Sequence, residues 1–366
     1  MSSTSPLLAP LTLRNGVVAP NRVWLAPMTN LQSHEDGSLS DDELRWLERR
    51  ADGGFGVIET CAAYVATDGK AWPGELGVHD DAMTPGLERL AASLSARGAL
   101  GIAQLFHGGV RASEELTGAP LWSASAVAQP NVPTPRAATE EDLHRVVAQF
   151  AAAAARCARA GLAGVELHGA HGYLFGQFLS SVQNVRDDAW GGPLERRAKL
   201  LLDAVHAVRA ATSPGFVIGV RISPEDFGQS VGLDLDESLT VAGWLADAGV
   251  DFLHVSLWDV HRMTTKRPDE HAIPLFRAAV PREVPLIVAG KVWTRADGEE
   301  ALARGADAVA LGRSAILNPE WPGRVAGEGE EPLRPPVTHD DLLGLSLNDT
   351  FATYMRAWRG FVVDPE

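Results

Sequence analysis

Residues 158–173 read Ala-Arg-Ala-Gly-Leu-Ala-Gly-Val-Glu-Leu-His-Gly-Ala-His-Gly-Tyr, and this stretch leads from a helix into a strand. The helix is predicted over Glu140–Arg159, where apolar residues recur at helical spacing after a capping box of Thr139 and Asp142. Gly161 suits the left-handed cap that ends a helix. The apolar run Val165–His168 then predicts a short buried strand.

This unit of helix, glycine and strand recurs along the chain. Strands are predicted at Val23–Ala26, Gly56–Glu59, Leu100–Leu105, Val165–His168, Phe216–Ile222, Phe252–Leu257, Leu286–Ala289 and Ala308–Gly312. Amphipathic helices are predicted at Asp41–Ala51, Pro85–Ala96, Glu140–Arg159, Leu194–Ala211, Glu237–Ala248 and Ala296–Arg304. This alternation indicates an α/β fold, the (β/α)8 TIM barrel. A doubly wound sheet is the alternative, but no Gly-x-Gly-x-x-Gly follows the first strand.

Three further segments are expected to close or cover the barrel. The chain from Leu11 to Ala19 is typical of a β-hairpin that turns at Asn15-Gly16, and we expect it to close the bottom. The connections Gly108–Ala138 and Gly172–Pro193 are too long for ordinary loops. We expect both to form excursions over the C-terminal face, where the active sites of barrels lie.

The composition excludes several classes of partner and cofactor. The 366-residue chain has a formal net charge of −15, which argues against nucleic acid or an anionic membrane as a partner. Cys61 and Cys157 are too few for a disulfide framework or a cysteine-held iron–sulfur cluster. Because neither a signal peptide nor a membrane-spanning run is recognised, we expect a cytoplasmic protein.

His168, His171 and Tyr173 indicate the chemistry of the opening stretch. Two imidazoles can hold a carbonyl oxygen and a phenol can supply a proton, provided that the three side chains converge at one pocket. Two other interpretations stay open, namely a metal ion bound by the histidines and histidines with only a structural role. The flanking residues supply no obvious carboxylate at ligand spacing, so we expect no metal.

Three polar residues lie at or near the C-terminal ends of predicted strands. Because every second residue of a strand faces the same way, the side chains of Gln104, His168 and Arg221 each lie on either the interior or the exterior face of their strand. If that face is the interior, all three line the barrel mouth, where catalytic groups of this fold lie. The alternative is that each is a satisfied polar residue of the upper interior.

The last two predicted strands each end in a glycine followed by a cation. Gly290-Lys291 follows the seventh strand, and Gly312-Arg313-Ser314 follows the eighth. Backbone amides of such turns can hold a phosphate, and barrels often bind one at this place. The pair therefore indicates a phosphorylated cofactor or substrate, with two exposed basic residues in tight turns as the alternative.

Over residues 7–322 the chain resembles the Old Yellow Enzyme family of FMN-dependent NAD(P)H oxidoreductases, the ene-reductases. The resemblance rests on motifs in the family's order, which are Asn21-Arg-Val-Trp-Leu-Ala-Pro-Met-Thr29, Gln104-Leu-Phe-His-Gly-Gly109, Val165-Glu-Leu-His-Gly-Ala-His-Gly-Tyr173, Phe178-Leu-Ser180, Arg221-Ile-Ser223, Gly290 and Gly312-Arg313-Ser314. It implies a single FMN-binding TIM-barrel domain over residues 1–366, with a core at about 20–325 and a tail at about 326–366.

The resemblance also implies which residues bind the cofactor. Those placed against the flavin ring or the FMN phosphate are Ala26, Pro27, Met28, Thr29, Thr60, Cys61, Gln104, Arg221, Gly290, Lys291, Gly312 and Arg313. Gln104 resembles the amide that bonds the pyrimidine side of the ring. Arg221 resembles the cation near N1 and O2, where a fixed positive charge favours the anionic reduced ring. Whether Thr60 or Cys61 faces the flavin stays open.

The implied reaction is reduction of the C=C bond of an α,β-unsaturated carbonyl or nitro compound. In a ping-pong order, NADH or NADPH passes hydride to flavin N5 and leaves, and the electron-poor alkene takes its place. His168 and His171 would bond the substrate oxygen, N5 would deliver hydride to the β-carbon, and Tyr173 would protonate the α-carbon. The alternatives are a metal-dependent or sugar-phosphate-processing barrel without flavin, and a flavin-binding protein with little turnover.

The chain also departs from some of the family. Thr29 and Leu31 stand where one branch has Cys and Tyr, so that branch's substrate contacts do not carry over. In some relatives a C-terminal arginine or aromatic residue reaches a neighbouring active site. The tail Leu345–Glu366 contains such residues, and it either does this in a homo-oligomer or packs on its own barrel, which we favour.

Overall fold

A computed structural model describes residues 5–129 and 132–364 and shows eight parallel strands closed into a barrel. In chain order, β1 to β8 span Val23–Leu25, Val57–Tyr64, Leu100–Phe106, Gly164–Gly169, Val217–Ile222, Phe252–Ser256, Leu286–Ala289 and Ala308–Leu311. Each pairs with the next, and β8 pairs with β1. The predicted TIM barrel is confirmed. The parts of the predicted domain and first excursion that fall on residues 1–4, 130–131 and 365–366 lie outside the described residues.

Helices surround the barrel. The longer ones span Asp41–Asp52, Thr84–Ala96, Glu140–Arg159, Lys199–Ala211, Leu235–Asp247, Ala272–Ala279 and Arg295–Ala303. The capping box of Thr139 and Asp142 is present, and Gly161 has the left-handed φ of +88°. Sequence periodicity does not predict Ala272–Ala279, which is short and carries Pro274 in its first turn, where proline is tolerated. Among the described residues, no helix has the length and apolar run that crossing a bilayer would take.

The N-terminal hairpin closes the bottom of the barrel, as expected. Its strands, Leu11–Thr12 and Val18–Ala19, pair antiparallel around a turn at Gly16, where φ is +88°. Its apolar residues join an interior cluster that includes Trp24 and Phe252. Because the hairpin occupies the N-terminal ends of the strands, a site can open only at the other end.

Two excursions leave the C-terminal ends of β3 and β4. Their helices and strands are Glu114–Thr117, Trp122–Ser123, Arg136–Ala137, Leu174–Leu179 and Leu194–Arg197. Gln177 of the second excursion ties the two together, because its Oε1 accepts hydrogen bonds from the N–H of Val110 at 3.1 Å and from Ser123 Oγ at 2.9 Å. The excursions therefore support each other beside the mouth.

After the barrel, the tail folds back onto the same chain. Its elements are Arg313–Leu317, Pro322–Glu328, Val337–Thr338, His339–Gly344, Asp349–Tyr354 and Val362–Val363. The buried Arg50 donates to the carbonyl of Leu345 at 2.9 Å, and the Trp46 and Phe351 rings meet at 5.6 Å. The tail therefore packs on its own barrel, the alternative that we favour from the sequence.

Alternation along the strands produces two layers inside the barrel. The lower layer is apolar and includes Trp24, Val57, Ile102, Val217, Phe252, Ile287 and Ala308. The upper layer is polar and consists of the buried residues Glu59, Gln104, Glu166, Arg221 and His254. Gln104 and Arg221 thus face the interior, as alternation predicts.

A bulge in β2 changes which of its residues face inward. Glu59 and Ala62 oppose β3 residues that are only two apart, so β2 carries one extra residue between them. Ala62 therefore faces inward, against Phe106, and Cys61 faces outward into the core between barrel and helices. Without the bulge, strict alternation would place Cys61 inside.

Glu59 and Glu166 form a buried carboxyl pair in the polar layer. His254 Nδ1 lies 2.7 Å from Glu166 Oε2 and 3.7 Å from Glu59 Oε1, and Gln104 donates to Glu166 Oε1 at 2.7 Å. Burial and the charge of Glu166 raise the pKa of Glu59 well above its usual value. Burial opposes ionisation of Glu166 too, but His254 and Arg221 outweigh it and lower its pKa. Glu59 therefore keeps the proton that the pair holds.

Gly219→Ala is expected to destabilise the fold, because a Cβ at this position would overlap the ring of Phe252. Overpacking a core costs about 1–3 kcal/mol, so the thermal unfolding midpoint is expected to fall by several degrees. Gly215→Ala is the control, since a Cβ there meets nothing within 4 Å. Equal midpoints for both variants would contradict the packing of the lower layer.

Glu59→Gln is expected to gain stability relative to the wild type as the pH rises from 4 to 8. The folded chain holds a proton on Glu59 that the unfolded chain releases above its ordinary pKa, so the contribution of Glu59 to stability falls over this range. Glutamine has no proton to lose. Glu166→Gln is the matched contrast. Because the pKa of Glu166 is lowered in the folded chain, its ionised carboxylate stabilises the fold at neutral pH, and this stabilisation is lost as the pH falls. Glu166→Gln is therefore expected to be less stable than the wild type at neutral pH, by a margin that shrinks towards pH 4. Thermal unfolding midpoints measured across this pH range test both expectations. If the midpoints of Glu59→Gln and of the wild type change in parallel with pH, Glu59 does not hold the proton of the pair.

Candidate active site

A cavity of about 520 Å³ opens at the C-terminal end of the barrel, a volume typical of small-molecule sites. It is lined by the ends of β1 and β4 to β8, by Arg111 of the excursion after β3, and by the tail. The predicted site residues that line it are Ala26, Pro27, Met28, Thr29, His171, Tyr173, Arg221, Gly290, Lys291, Gly312 and Arg313. The loops of distant strands thus bring these residues together.

His168 is buried and is not among the residues that line the cavity, but it packs against His171 and Tyr173, which are. Its ring centre is 5.0 Å from the ring centre of each of the other two, with the planes nearly perpendicular. His168 Nδ1 accepts a hydrogen bond from the N–H of Ala170 at 3.3 Å, so the neutral ring carries its proton on Nε2. The structure therefore brings the two imidazoles and the phenol together.

Burial keeps both imidazoles neutral. The pKa of His168 lies well below its usual value because of burial, and its neighbour His171 and the charge of Arg221 lower it further. Burial also lowers the pKa of His171 well below its usual value, and Arg221 and Arg111 add to the effect. Each ring can therefore donate a hydrogen bond at neutral pH without bringing a net charge.

The backbone of His171 is strained into position. Its φ is +61°, the left-handed region that residues with a Cβ rarely adopt. The peptide is fixed on both sides, since its N–H donates to Ser223 Oγ at 3.1 Å and its carbonyl accepts from Arg111 at 2.7 Å. The ring Nε2 lies 2.8 Å from Ser256 Oγ. Such strain is typical of residues held for function.

Tyr173 is a half-buried phenol. Burial raises its pKa, and the charge of Arg111 acts in the opposite direction. Its ring packs edge-on against Phe106 at 4.6 Å and lies 6.3 Å from Trp72. Tyr173 is therefore protonated at neutral pH and available as an acid.

The cavity is positively charged although the protein is acidic. Four cations line it, namely Arg111, Arg221, Lys291 and Arg313, and no Asp or Glu is among its described lining residues. The buried Nε of Arg221 has no hydrogen-bond acceptor. An anionic ligand with an acceptor for this group fits the cavity, and FMN meets both conditions.

The two predicted phosphate cations differ in their surroundings. Lys291 Nζ is paired with Asp259 at 3.0 Å, and its backbone has a φ of +50°. The guanidinium of Arg313 instead lies over the ring of Trp358, 5.3 Å from the ring centre. The charge of Lys291 is thus partly neutralised by Asp259, so Arg313 is the better placed of the two to bind a phosphate.

Thr60 and Cys61 do not line the cavity. The Thr60 hydroxyl donates to the Cys61 carbonyl at 2.6 Å and accepts the N–H of Gln104 at 3.2 Å, which stabilises the bulge. Of the two residues that the sequence leaves open, Cys61 faces Glu43 outside the barrel, because the bulge reverses its direction, and its predicted place among the cofactor-binding residues is corrected. Ala62 is the inward residue here. No glycine or proline in the sequence marks the bulge.

Several cavity residues are missed by the strand pattern and the family motifs. They are Arg111, Phe227, Ser256, Trp293, Phe351 and Met355. Ser256 could have been found, because it shares a strand face with His254. Arg111 comes from the first excursion, Phe227 and Trp293 from the loops after β5 and β7, and Phe351 and Met355 from the tail, and no local pattern marks such contacts. Tyr354 and Trp358, aromatic residues of the tail, line this chain's own cavity.

The polar layer could also be taken for a metal site. Ligand atoms of Glu59, Glu166 and His254 lie within 4.8 Å of one another. However, His254 Nδ1 already donates to Glu166, and the protonated Glu59 offers no charge. Arg221 faces the same carboxylates and supplies the positive charge that a cation would bring.

Comparisons with known proteins agree with this geometry. Residues 6–331 match the model of the NADH:flavin oxidoreductase / NADH oxidase family. The chain is 37% identical over 333 residues to the probable NADH-dependent flavin oxidoreductase YqiG of Bacillus subtilis, with 89% of each chain covered. It is 32% identical to the NADPH dehydrogenase of Bacillus licheniformis, covering 92% of this chain and 99% of that protein.

A solved structure is similar as well. The Old Yellow Enzyme homologue from Zymomonas mobilis superposes with a TM-score of 0.82 at 25% identity, covering 95% of this chain and 99% of that one. The fold, the cationic cavity and the sequence matches all indicate the same family. The chain therefore belongs to the NADH:flavin oxidoreductase / NADH oxidase family, that of the Old Yellow Enzymes, with FMN as cofactor and a nicotinamide as reductant.

Proposed function

We propose that the protein reduces the C=C bond of α,β-unsaturated carbonyl or nitro compounds with NADH or NADPH. The observation that carries this proposal is the convergence of two neutral imidazoles and a protonated phenol beside a cation-lined cavity. When bound, FMN takes a hydride from NAD(P)H and passes it from N5 to the β-carbon of the alkene, in ping-pong order.

His168 and His171 bind the oxygen of the substrate in this proposal. Two hydrogen bonds draw electrons towards that oxygen and make the β-carbon electrophilic. The neutral state of both rings matters, because Nε2 of His168 donates without needing a counter-charge. Hydrogen bonds of this kind stabilise developing negative charge and are worth about 10²–10³ in rate each.

Tyr173 supplies the proton to the α-carbon. Its raised pKa keeps it protonated at the pH where the reductant works, and its ring is held by Phe106. A phenol is a suitable acid for a carbanion next to a carbonyl, since general acids of this kind contribute about 10²–10⁴ in rate.

The cofactor residues follow from the same arrangement. We propose that the flavin lies along Ala26, Pro27, Met28 and Thr29, with Arg221 and Gln104 on its pyrimidine side and Thr60 behind Gln104. The phosphate lies at Gly290, Lys291, Gly312 and Arg313, with Arg313 as the main cation. We propose that barrel and tail form one domain, because Tyr354 and Trp358 of the tail complete the cavity.

Family membership sets aside the two alternatives without flavin. A metal-dependent or sugar-phosphate-processing barrel would be colourless, whereas FMN colours the protein yellow. A flavin-binding protein with little turnover is the remaining alternative. It would be bleached slowly or not at all by NAD(P)H, and an enone would not restore the colour.

Tyr173→Phe is expected to leave flavin reduction by NAD(P)H intact and to slow alkene reduction roughly 10²-fold or more, because only the second half-reaction needs the proton. Stopped-flow absorbance of the flavin follows both half-reactions separately. Tyr64→Phe removes a phenol whose hydroxyl bonds the Asp36 carbonyl outside the cavity, and it serves as the control. If both half-reactions of Tyr173→Phe match the wild type, Tyr173 is not the acid.

His168→Ala and His171→Ala are expected to weaken binding of 4-hydroxybenzaldehyde, whose phenolate oxygen would occupy the position of the substrate oxygen. Each lost hydrogen bond to a charged oxygen corresponds to roughly a 10-fold to 100-fold rise in Kd. The change in the flavin spectrum on titration measures the Kd. His206→Ala, on an exposed helix face, is the control. Unchanged affinity in both cavity variants would count against the oxygen-binding role.

A further inference from the structure

We propose that Arg111 is a positioning residue for the protonation step, anchoring the backbone of His171 and setting a positive charge against Tyr173. This inference rests on the proposed function, because it concerns the acid of that reaction. Neither the strand pattern nor the family motifs single out Arg111.

The turn that carries Arg111 is held in place by hydrogen bonding. It ends the short turn Gly109–Arg111 that follows β3. The second excursion holds this turn, because Gln177 Oε1 accepts the N–H of Val110 at 3.1 Å. The side chain is half-buried and lines the cavity.

One guanidinium contacts two members of the catalytic cluster. Its Nη1 donates to the carbonyl of His171 at 2.7 Å. Its central carbon lies 4.2 Å from the centre of the Tyr173 ring. Arg111 thus links the oxygen-binding residue to the acid.

The charge of Arg111 is not neutralised by the cavity. No Asp or Glu is among the described residues that line it. Arg136 of the same excursion and Arg145 of the helix that follows it differ in this respect, since both pair with Asp142. Burial raises the pKa of Tyr173, the charge of Arg111 acts against that rise, and Glu75 and Tyr354 add to it.

The proton transfer explains why this charge matters. The O–H bond of Tyr173 breaks, and a C–H bond forms at the α-carbon with the electron pair that hydride addition leaves on the substrate. Tyr173 becomes a phenolate, which solvent reprotonates before the next turnover. A guanidinium beside the phenolate stabilises it, so Arg111 favours this transfer.

The anchoring role follows from the backbone of His171. With a φ of +61°, this residue keeps its conformation only when its surroundings fix it. Ser223 holds the N–H, and Arg111 holds the carbonyl. Losing Arg111 is therefore expected to loosen the imidazole as well.

The test uses the FMN-loaded protein with two variants of Arg111. Arg111→Met removes the charge and keeps the length, and Arg111→Lys keeps the charge and loses the planar fork. Each is made in the wild type and in the Tyr173→Phe background. Arg196→Met, which removes an exposed arginine from the helix Leu194–Arg197, is the control for loss of a surface cation.

Arg111→Met is expected to slow alkene reduction about 10-fold to 100-fold while flavin reduction stays within about 2-fold of the wild type. Combined with Tyr173→Phe it is expected to cost less than the product of the two single losses, because the part of its effect that acts through the phenol is already gone and only the loss of the His171 anchor remains. Arg111→Lys is expected to recover most of the rate. Its Kd for 4-hydroxybenzaldehyde is expected to stay raised, because the anchor on His171 is lost.

A second readout does not depend on turnover. With 3-fluorotyrosine in place of Tyr173, fluorine NMR reports ionisation of this one phenol. Arg111→Met is expected to raise the pKa of the phenol and to move the decline of alkene reduction at high pH upwards. Arg111→Lys is expected to move neither.

Two results would overturn the inference. One is that Arg111→Met leaves the pKa of the phenol unchanged. The other is that Arg111→Met slows flavin reduction and alkene reduction equally, which would indicate a purely structural role. If the wild type itself reduces no enone or nitroalkene, the proposed function is wrong. The fluorine titration then still decides whether Arg111 acts on Tyr173.

Discussion

A side chain on a closed parallel barrel can point only inward or outward, and this constraint determines where each polar group of the site lies. The lower interior is filled by apolar side chains and sealed by the N-terminal hairpin. The next inward positions must then carry the polar layer, and the last ones reach the mouth. His168 and Arg221 are paired neighbours on β4 and β5 for this reason. Which polar side chains reach the mouth therefore depends on how many residues separate them from the apolar layer of the same strand.

Burial and charge then divide the roles at the mouth. Imidazoles lose their proton on burial, phenols keep theirs, and arginines remain charged because their intrinsic pKa is so high. The same desolvation thus produces neutral donors, an acid and fixed cations within a few ångströms. With a net charge of −15 the molecule repels anions at long range, whereas its cavity has four cations and no lining carboxylate among the described residues. The local charge of the cavity is therefore opposite in sign to the net charge of the molecule.

Much of this arrangement can be predicted from sequence where the signal is local. Apolar runs give the eight strands, Asn15-Gly16 gives the hairpin, and Thr139 with Asp142 gives the start of the longest helix. The convergence of His168 with His171 and Tyr173 follows from strand ends and short spacing.

What cannot be predicted depends on contacts between distant segments. The β2 bulge is stabilised by a side chain–backbone bond from Thr60 to β3, and no residue type announces it. The ion pair of Lys291 with Asp259 joins the loops after two different strands. The guanidinium of Arg111, which follows β3, lies over the ring of Tyr173, which follows β4. Each is a matter of tertiary geometry, which the composition of one segment does not encode.

The tail gives the site a dependence on the order of synthesis. Strand β8 ends at Leu311, but Phe351 and Trp358 form one side of the cavity. Those residues are therefore made after the last barrel strand, and the cavity takes its final shape only once they have folded back onto the mouth.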